Sequence, residues 1–313
     1  MQDVFKQYIN YLEVERYVSP YTVRNYTTDL LGNYSRGVGK GFIQFLSLKG
    51  ICTMEDVDKH TLRDYIAWLM EKDIAKASIA RRLSAVRSFY KYLLREEILT
   101  SNPMEKASSP KADKRLPEFL TTEEVKCLLE VPDSNIPRGQ RDCAWLELLY
   151  ASGLRVSELV RLNVEHINLD SCEIRVWGKG DKERIVLIGK PAVKALNTYF
   201  AQGRLELLGK RKSNAVFLNR FGRRLMERGI QKLLDKYGKA ASINKKVHPH
   251  MLRHTFATHM LDGGADLRVV QELLGHTKLS STQIYTHVSK KQARKIYLSA
   301  HPMAMKEYDE PSK

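Results

Sequence analysis

Apolar residues recur at helical spacing through most of the chain. In the first hundred residues Phe5, Tyr8, Ile9 and Leu12 fall on one face of a helix. Ser19-Pro20 is a helix start, with serine as N-cap and proline in the first turn. A second amphipathic pattern covers Leu62 to Met70. A third runs from Ser78 to Leu94, with Ile79, Leu83, Val86, Tyr90 and Leu93 as its apolar stripe. Gly32 to Gly41 interrupts this pattern. It reads as a glycine-rich surface insertion, and no Gly-Lys-Ser/Thr follows that would mark a phosphate loop.

The second half begins with a capping box, Thr121 to Glu124, ahead of Val125, Leu128 and Leu129. A helix follows through Trp145, Leu148 and Leu149, and another starts near Val156. Two β-rich runs, Glu173 to Trp177 and Arg184 to Ile188, flank a Gly178-Lys179-Gly180-Asp181 turn and predict a hairpin. Helical patterns then continue to about Ala300. The predicted fold is mainly α with a small β-hairpin. Between the halves, Asn102-Pro103, Ser108-Ser109-Pro110 and the basic run Lys111 to Arg115 read as a linker. The expected division is a helical domain over 1–107, a linker over 108–117, a second domain over 118–302 and a tail over 303–313.

Composition narrows the function. The 313 residues carry a formal net charge of +16, divided as +5 over residues 1–115 and +11 over the rest. Two basic halves suit a clamp that grips phosphates from two sides, although charge used only for solubility reads the same way. Arg81, Arg82 and Lys91 decorate the third helix and are candidates for DNA-backbone contacts; a charged surface helix is the alternative. The four cysteines are scattered with no CxxC pair, so neither a zinc site nor a disulfide framework is indicated. No apolar run is long enough for a membrane span and the N-terminus lacks a signal-peptide core, so the expected location is cytoplasmic.

Four segments carry candidate chemistry. In Ala151-Ser-Gly-Leu-Arg155-Val-Ser-Glu158-Leu, Arg155 follows a glycine near a helix start and can project into a cleft or pair with Glu158. In Trp177-Gly-Lys179-Gly-Asp-Lys-Glu-Arg184, Lys179 sits at a turn, as a mobile proton donor or an ordinary solvated residue. In His248-Pro-His250-Met-Leu-Arg253-His254-Thr-Phe-Ala-Thr-His259, His250 and Arg253 are three apart and share a helix face. A metal site on His250, His254 and His259 competes with that reading, but no Cys, Asp or Glu in the segment completes a ligand set. His254 and His259 read as packing or hydrogen-bonded residues. In the fourth, Leu274-Gly-His276 to Tyr285-Thr-His287, one of 15 tyrosines sits nine residues after His276 in a polar run.

Together, and in this order, the four segments resemble the tyrosine recombinases, of the Xer type. The resemblance covers nearly the whole chain, from the helical N-terminal domain to the tail helix between Lys290 and His301-Pro302. The Gly32–Gly41 insertion departs from the usual pattern. The resemblance implies a C-shaped two-domain DNA clamp, a SAM-like core-binding domain joined to a catalytic domain. It implies that Tyr285 is the nucleophile, Arg155 and Arg253 the phosphate clamp, His250 the base, Lys179 the acid and His276 a phosphate ligand. It implies catalysis without metal, ATP or other cofactor. The implied partner is double-stranded DNA, bound by a homo-tetramer or a hetero-tetramer with a second recombinase. The implied role is resolution of chromosome or plasmid dimers in a nucleoid-associated protein. The helix over 290–300, with Ala293, Ile296 and Leu298, is the implied segment exchanged between subunits; an intramolecular packing helix is the alternative. An integrase of a phage or mobile element, a type IB topoisomerase, a DNA-binding factor with a dead recombinase fold and a metal-dependent nuclease are the rival readings.

Overall fold

The computed structural model describes residues 2–32, 41–104, 118–178, 183–275 and 290–304. Lys179, His276 and Tyr285, the side chain of Ala293, the body of the 32–41 insertion and the whole 108–117 linker lie outside the described residues. The chain forms two compact units, Met1–Arg115 and Leu116–Lys313.

The N-terminal unit is helical: α1 (Gln2–Asn10) with a π turn at Tyr11–Glu15, α2 (Pro20–Leu31), α3 (Phe42–Leu48), α4 (Lys59–Glu71) and α5 (Lys76–Arg95). Ser19 caps α2 by accepting the Thr22 N–H at 3.3 Å. Asp58 caps α4 within a reciprocal capping box with Thr61. The stripe foreseen on α5 is the centre of the core, since Ile79, Leu83, Val86, Tyr90 and Leu93 are all fully buried. Aromatic rings fill the space against it: Tyr8 lies 5.1 Å from Phe89 and 5.4 Å from Tyr92, between ring centroids.

The C-terminal unit opens with α6 (Thr122–Glu130), whose Thr121–Glu124 capping box is present in both directions. Next come α7 (Pro137–Ser152) and α8 (Val156–Arg161). A three-stranded antiparallel sheet follows, ordered β1 (Ile167–Asn168), β2 (Glu173–Trp177) and β3 (Glu183–Leu187). The short β1 has no counterpart in the sequence reading, and β3 begins and ends one residue earlier than expected. The rest is α9 (Lys190–Thr198), α10 (Arg204–Leu208), α11 (Glu227–Ala240), α12 (Pro249–Asp262), α13 (Leu267–Leu274) and α14 (Lys290–Ala300). Helix α7 is buried on nearly every side and runs through the middle of this unit. Its buried Asp142 is saturated by donors: Arg141 Nε at 2.8 Å, Trp145 Nε1 at 2.6 Å and Tyr237 OH at 2.6 Å. A buried carboxylate persists only when it is paired in this way.

The tail helix α14 packs in its own chain against α12. The residues that anchor it are Tyr297 and Ala300, both buried, while the foreseen Ile296 and Leu298 are half-buried. Beyond the helix, His301, Met303 and Ala304 are buried too. His301 Nε2 lies 3.3 Å from the Tyr150 carbonyl and its Nδ1 accepts the Met303 N–H at 3.2 Å, an arrangement that fits the Nε2–H tautomer.

Candidate active site

The site is built around two glycine turns. Helix α7 ends at Gly153, in the left-handed region with φ of +58°. A Cβ there would sit 2.5 Å from a Phe256 ring carbon, so only glycine fits both the backbone and the space. Helix α13 ends in the same way at Gly275, with φ of +66°. These two helix ends face the side chain of Arg253.

Arg253 is buried on α12, and backbone carbonyls hold it. Its Nη1 donates to the Gly153 carbonyl at 2.6 Å and its Nη2 to the Leu274 carbonyl at 2.7 Å. One guanidinium thereby ties the ends of α7 and α13 to α12. Burial, with the Arg155 charge nearby, pushes its pKa down to about 10, which leaves it cationic at neutral pH.

Arg155 follows two residues after Gly153, at the N-cap of α8. Its N–H donates to Glu158 Oε2 at 2.8 Å, and its Nη1 to Glu158 Oε1 at 3.0 Å. The pairing with Glu158 that the sequence offered as an alternative is therefore real, and it coexists with partial exposure: the Arg155 side chain is 37% accessible. Glu158 is buried and has a second partner that the sequence reading missed. Arg184 on β3 grips it with both terminal nitrogens, at 2.8 and 2.9 Å. Burial pushes the Glu158 carboxyl up, but the hydrogen bonds and charges of Arg184 and Arg155 outweigh it and hold the group below its ordinary range.

The histidines divide. His248 caps α12, its Nδ1 accepting the Met251 N–H at 3.1 Å, and burial followed by the His250 charge lowers its pKa. His250, one residue into the helix, is exposed, while Arg253 on the next turn is buried. His254 packs edge-on to Phe119, with centroids 6.4 Å apart. His259 is buried, with Nδ1 2.9 Å from the Tyr150 hydroxyl. Packing and hydrogen bonding thus account for His254 and His259. No group of three His, Cys, Asp or Glu among the described residues is placed to hold a metal ion.

The other basic candidates lie in the N-terminal unit and differ from one another. Lys91 is exposed. Arg81 is half-exposed but ion-paired to the fully buried Asp29. Arg82 is half-buried and turned toward the Tyr65 hydroxyl and Asp29. Its position on the helix, one residue from Arg81, swings it toward the core.

Comparison with known proteins agrees with this construction. Residues 118–292 match the model of the phage integrase family, and residues 5–97 that of its N-terminal SAM-like domain. The tyrosine recombinase XerC of Pelotomaculum thermopropionicum is 47% identical over 305 residues, which cover 95% of this chain and 97% of that protein. The tyrosine recombinase XerD of Staphylococcus epidermidis is 41% identical over 304 residues, covering 97% and 100%. Among solved structures, the Tn1549 transposon integrase in complex with transposon right end DNA shares the fold with a TM-score of 0.67 at 17% identity, over 93% of this chain and 97% of that one. The chain belongs to the phage integrase family and is a tyrosine recombinase of the Xer type, an enzyme that cleaves and rejoins double-stranded DNA at specific sites.

Proposed function

We propose that Tyr285 attacks a DNA phosphodiester held by Arg155 and Arg253, forming a 3′-phosphotyrosyl bond and releasing a 5′-hydroxyl. The observation that supports this reading is the convergence of two guanidiniums at the turns of Gly153 and Gly275, the second of which leads directly into His276. Negative charge builds on the nonbridging oxygens as the phosphorus becomes five-coordinate, and fixed cations stabilise that state more than the ground state. His250 takes the phenol proton, Lys179 protonates the departing 5′-oxygen and His276 hydrogen-bonds the phosphate. Residues 118–302 form the catalytic domain, and residues 1–107 grip the core DNA. The phosphotyrosine conserves the energy of the broken bond, so religation needs no ATP, and the two arginines supply the charge that a divalent ion would otherwise bring.

The biological role we infer is resolution of chromosome or plasmid dimers by a tetramer working at the nucleoid, in the cytoplasm. The high identity to XerC and XerD proteins along their full length supports it. No described helix is long and apolar enough to cross a membrane. The seat that α14 takes on α12 is also the seat that a neighbour's helix would fill in a subunit exchange. Covalent capture tests the whole reading. Purified protein is incubated with fragmented host DNA in EDTA and denatured, and the ends of the protein-bound DNA are sequenced. The expected result is one recurrent site near the replication terminus, absent with Tyr285→Phe. Adducts that persist in that variant would sink the assignment of the nucleophile, and sites at mobile-element borders would overturn the role in dimer resolution.

A further inference from the structure

Arg184 occupies a position where the strand pattern calls for an apolar residue. On the hairpin, Ile174 pairs with Val186 and Val176 with Arg184. Ile174, Val176 and Val186 are all buried, so this face turns to the core, and Arg184 stands on it. Its side chain is only 16% accessible. An arginine at such a place costs desolvation and is tolerated only with a full partner. That partner is Glu158, gripped through both oxygens, on the helix that Arg155 caps. Arg184 also lies under the second glycine turn: a Cβ on Gly275 would fall 2.9 Å from its Cδ and Nε. One side chain therefore joins the hairpin, the Arg155 helix and the turn that leads to His276.

The charges explain what this arrangement achieves. Arg155 must offer its guanidinium to a phosphate, yet the carboxylate beside it is an anion competing for the same cation. With Glu158 and Arg155 alone, the pair has no net charge. With Arg184 added, the carboxylate is neutralised by the more buried arginine, and the more exposed Arg155 keeps its charge for the substrate. Two positive charges then remain across Arg155, Arg184, Arg253 and Glu158, matched to the two negative charges of the phosphorane, one more than the phosphodiester carries.

We propose that Arg184 is a positioning residue of the phosphate clamp, which neutralises and fixes Glu158 so that Arg155 is presented to DNA as an uncompensated cation. This rests on the proposed reaction and adds to it a third guanidinium that never touches the substrate. The alternative is that Arg184 is a packing residue whose loss merely loosens the hairpin.

The test uses full-length protein and a nicked duplex carrying the captured site, with either a phosphodiester or an uncharged methylphosphonate at the cleavage position. Adduct formation is timed for wild type, Arg184→Gln and the double variant Glu158→Gln/Arg184→Gln. The double variant has no carboxylate left to neutralise and returns the cluster to two positive charges, while the amide oxygen that replaces the carboxylate still accepts from Arg155. Arg184→Gln is expected to slow the adduct by about 10²-fold on the phosphodiester, the scale of one lost electrostatic contact in a transition state, with DNA affinity little changed. The deficit should shrink about tenfold on the methylphosphonate, whose transition state carries one negative charge fewer, and the double variant should regain about tenfold over the single. An equal deficit on both substrates, or a double variant slower than the single, overturns the proposal in favour of packing. Should Arg184→Gln fail to fold, the double variant decides alone: a phosphodiester rate within about tenfold of wild type supports the proposal, and a larger loss overturns it. A wild type that gives no Tyr285-dependent adduct overturns the reaction itself, a result distinct from either of these.

Discussion

Asp29 in the N-terminal unit and Glu158 in the C-terminal unit are both buried carboxylates held by arginine, yet their affinities for a proton move in opposite directions. Asp29 is completely buried, and burial raises its pKa even though Arg81 and Arg82 pull it down. Glu158 is almost as buried, but its pKa is lowered. The difference lies in the number and geometry of donors. Glu158 receives two terminal nitrogens of Arg184, one of Arg155 and the Arg155 N–H. One oxygen of Asp29 meets Arg81, whose side chain is 46% exposed, and the other has no hydrogen-bond partner among the described residues. A charge alone does not secure a buried carboxylate; saturation of its lone pairs does. The C-terminal unit holds Glu158 as an anion that orders its cations, while in the N-terminal unit burial shifts Asp29 toward its protonated form.

Removing the carboxylates should separate the two cases most strongly. Glu158→Ala leaves Arg184 buried without its partner and uncaps α8, so a loss of about 3–5 kcal/mol is expected in denaturant unfolding of the C-terminal unit. A loss under about 1 kcal/mol would mean that the cluster is solvated and the contrast false.

Acidification gives the next largest effect, through His301. Burial pushes its pKa down to about 4 from the ordinary 6.5. A histidine depressed in the folded state contributes stability that is present above 6.5 and is lost as pH falls toward 4, because the unfolded chain takes up the proton first. The loss approaches about 3 kcal/mol by pH 4. Melting curves between about pH 7 and 4 should fall less steeply for His301→Gln than for wild type, and parallel curves would contradict the buried neutral imidazole. Glu158 adds to the same downward trend at lower pH, since a depressed carboxyl loses its stabilising effect as it protonates.

Asp29→Asn should have the smallest effect and the opposite sign. A carboxyl raised in the folded state stabilises below its unfolded pKa, and that stability fades as pH rises through the folded pKa. At neutral pH the asparagine variant is expected to be as stable as wild type to within about 1 kcal/mol. A loss as large as that of Glu158→Ala would show that Asp29 is as well satisfied as Glu158.

Much of this was legible in the sequence, because helix faces and caps are written locally. The α5 stripe, the Ser19 cap and the Thr121–Glu124 box depend on residues a few positions apart, and all are present. Arg155 and Arg253 stood out through their neighbouring motifs. The carbonyl latch of Arg253 did not, because its acceptors lie 100 and 21 residues away and are backbone atoms that any residue carries. Arg184 escaped for another reason. In Glu-Arg-Ile-Val-Leu-Ile either alternate set could face the core, and only the pairing with β2 decides that the arginine points inward. The inward turn of Arg82 likewise depends on where Asp29 and Tyr65 lie. The buried end of the tail went unseen because His301 finds its partners on α7 and α12, far away in sequence.

In the proposed reaction Tyr285 itself carries the DNA, and protein cations drive the chemistry. Mass spectrometry of the captured adduct tests it most directly: the complex is formed in EDTA, its DNA trimmed by nuclease and its peptides sequenced. The expected result is a nucleotide joined through phosphate to Tyr285, with EDTA present throughout. A nucleotide on any other residue, or an adduct that forms only when a divalent ion is restored, would contradict it.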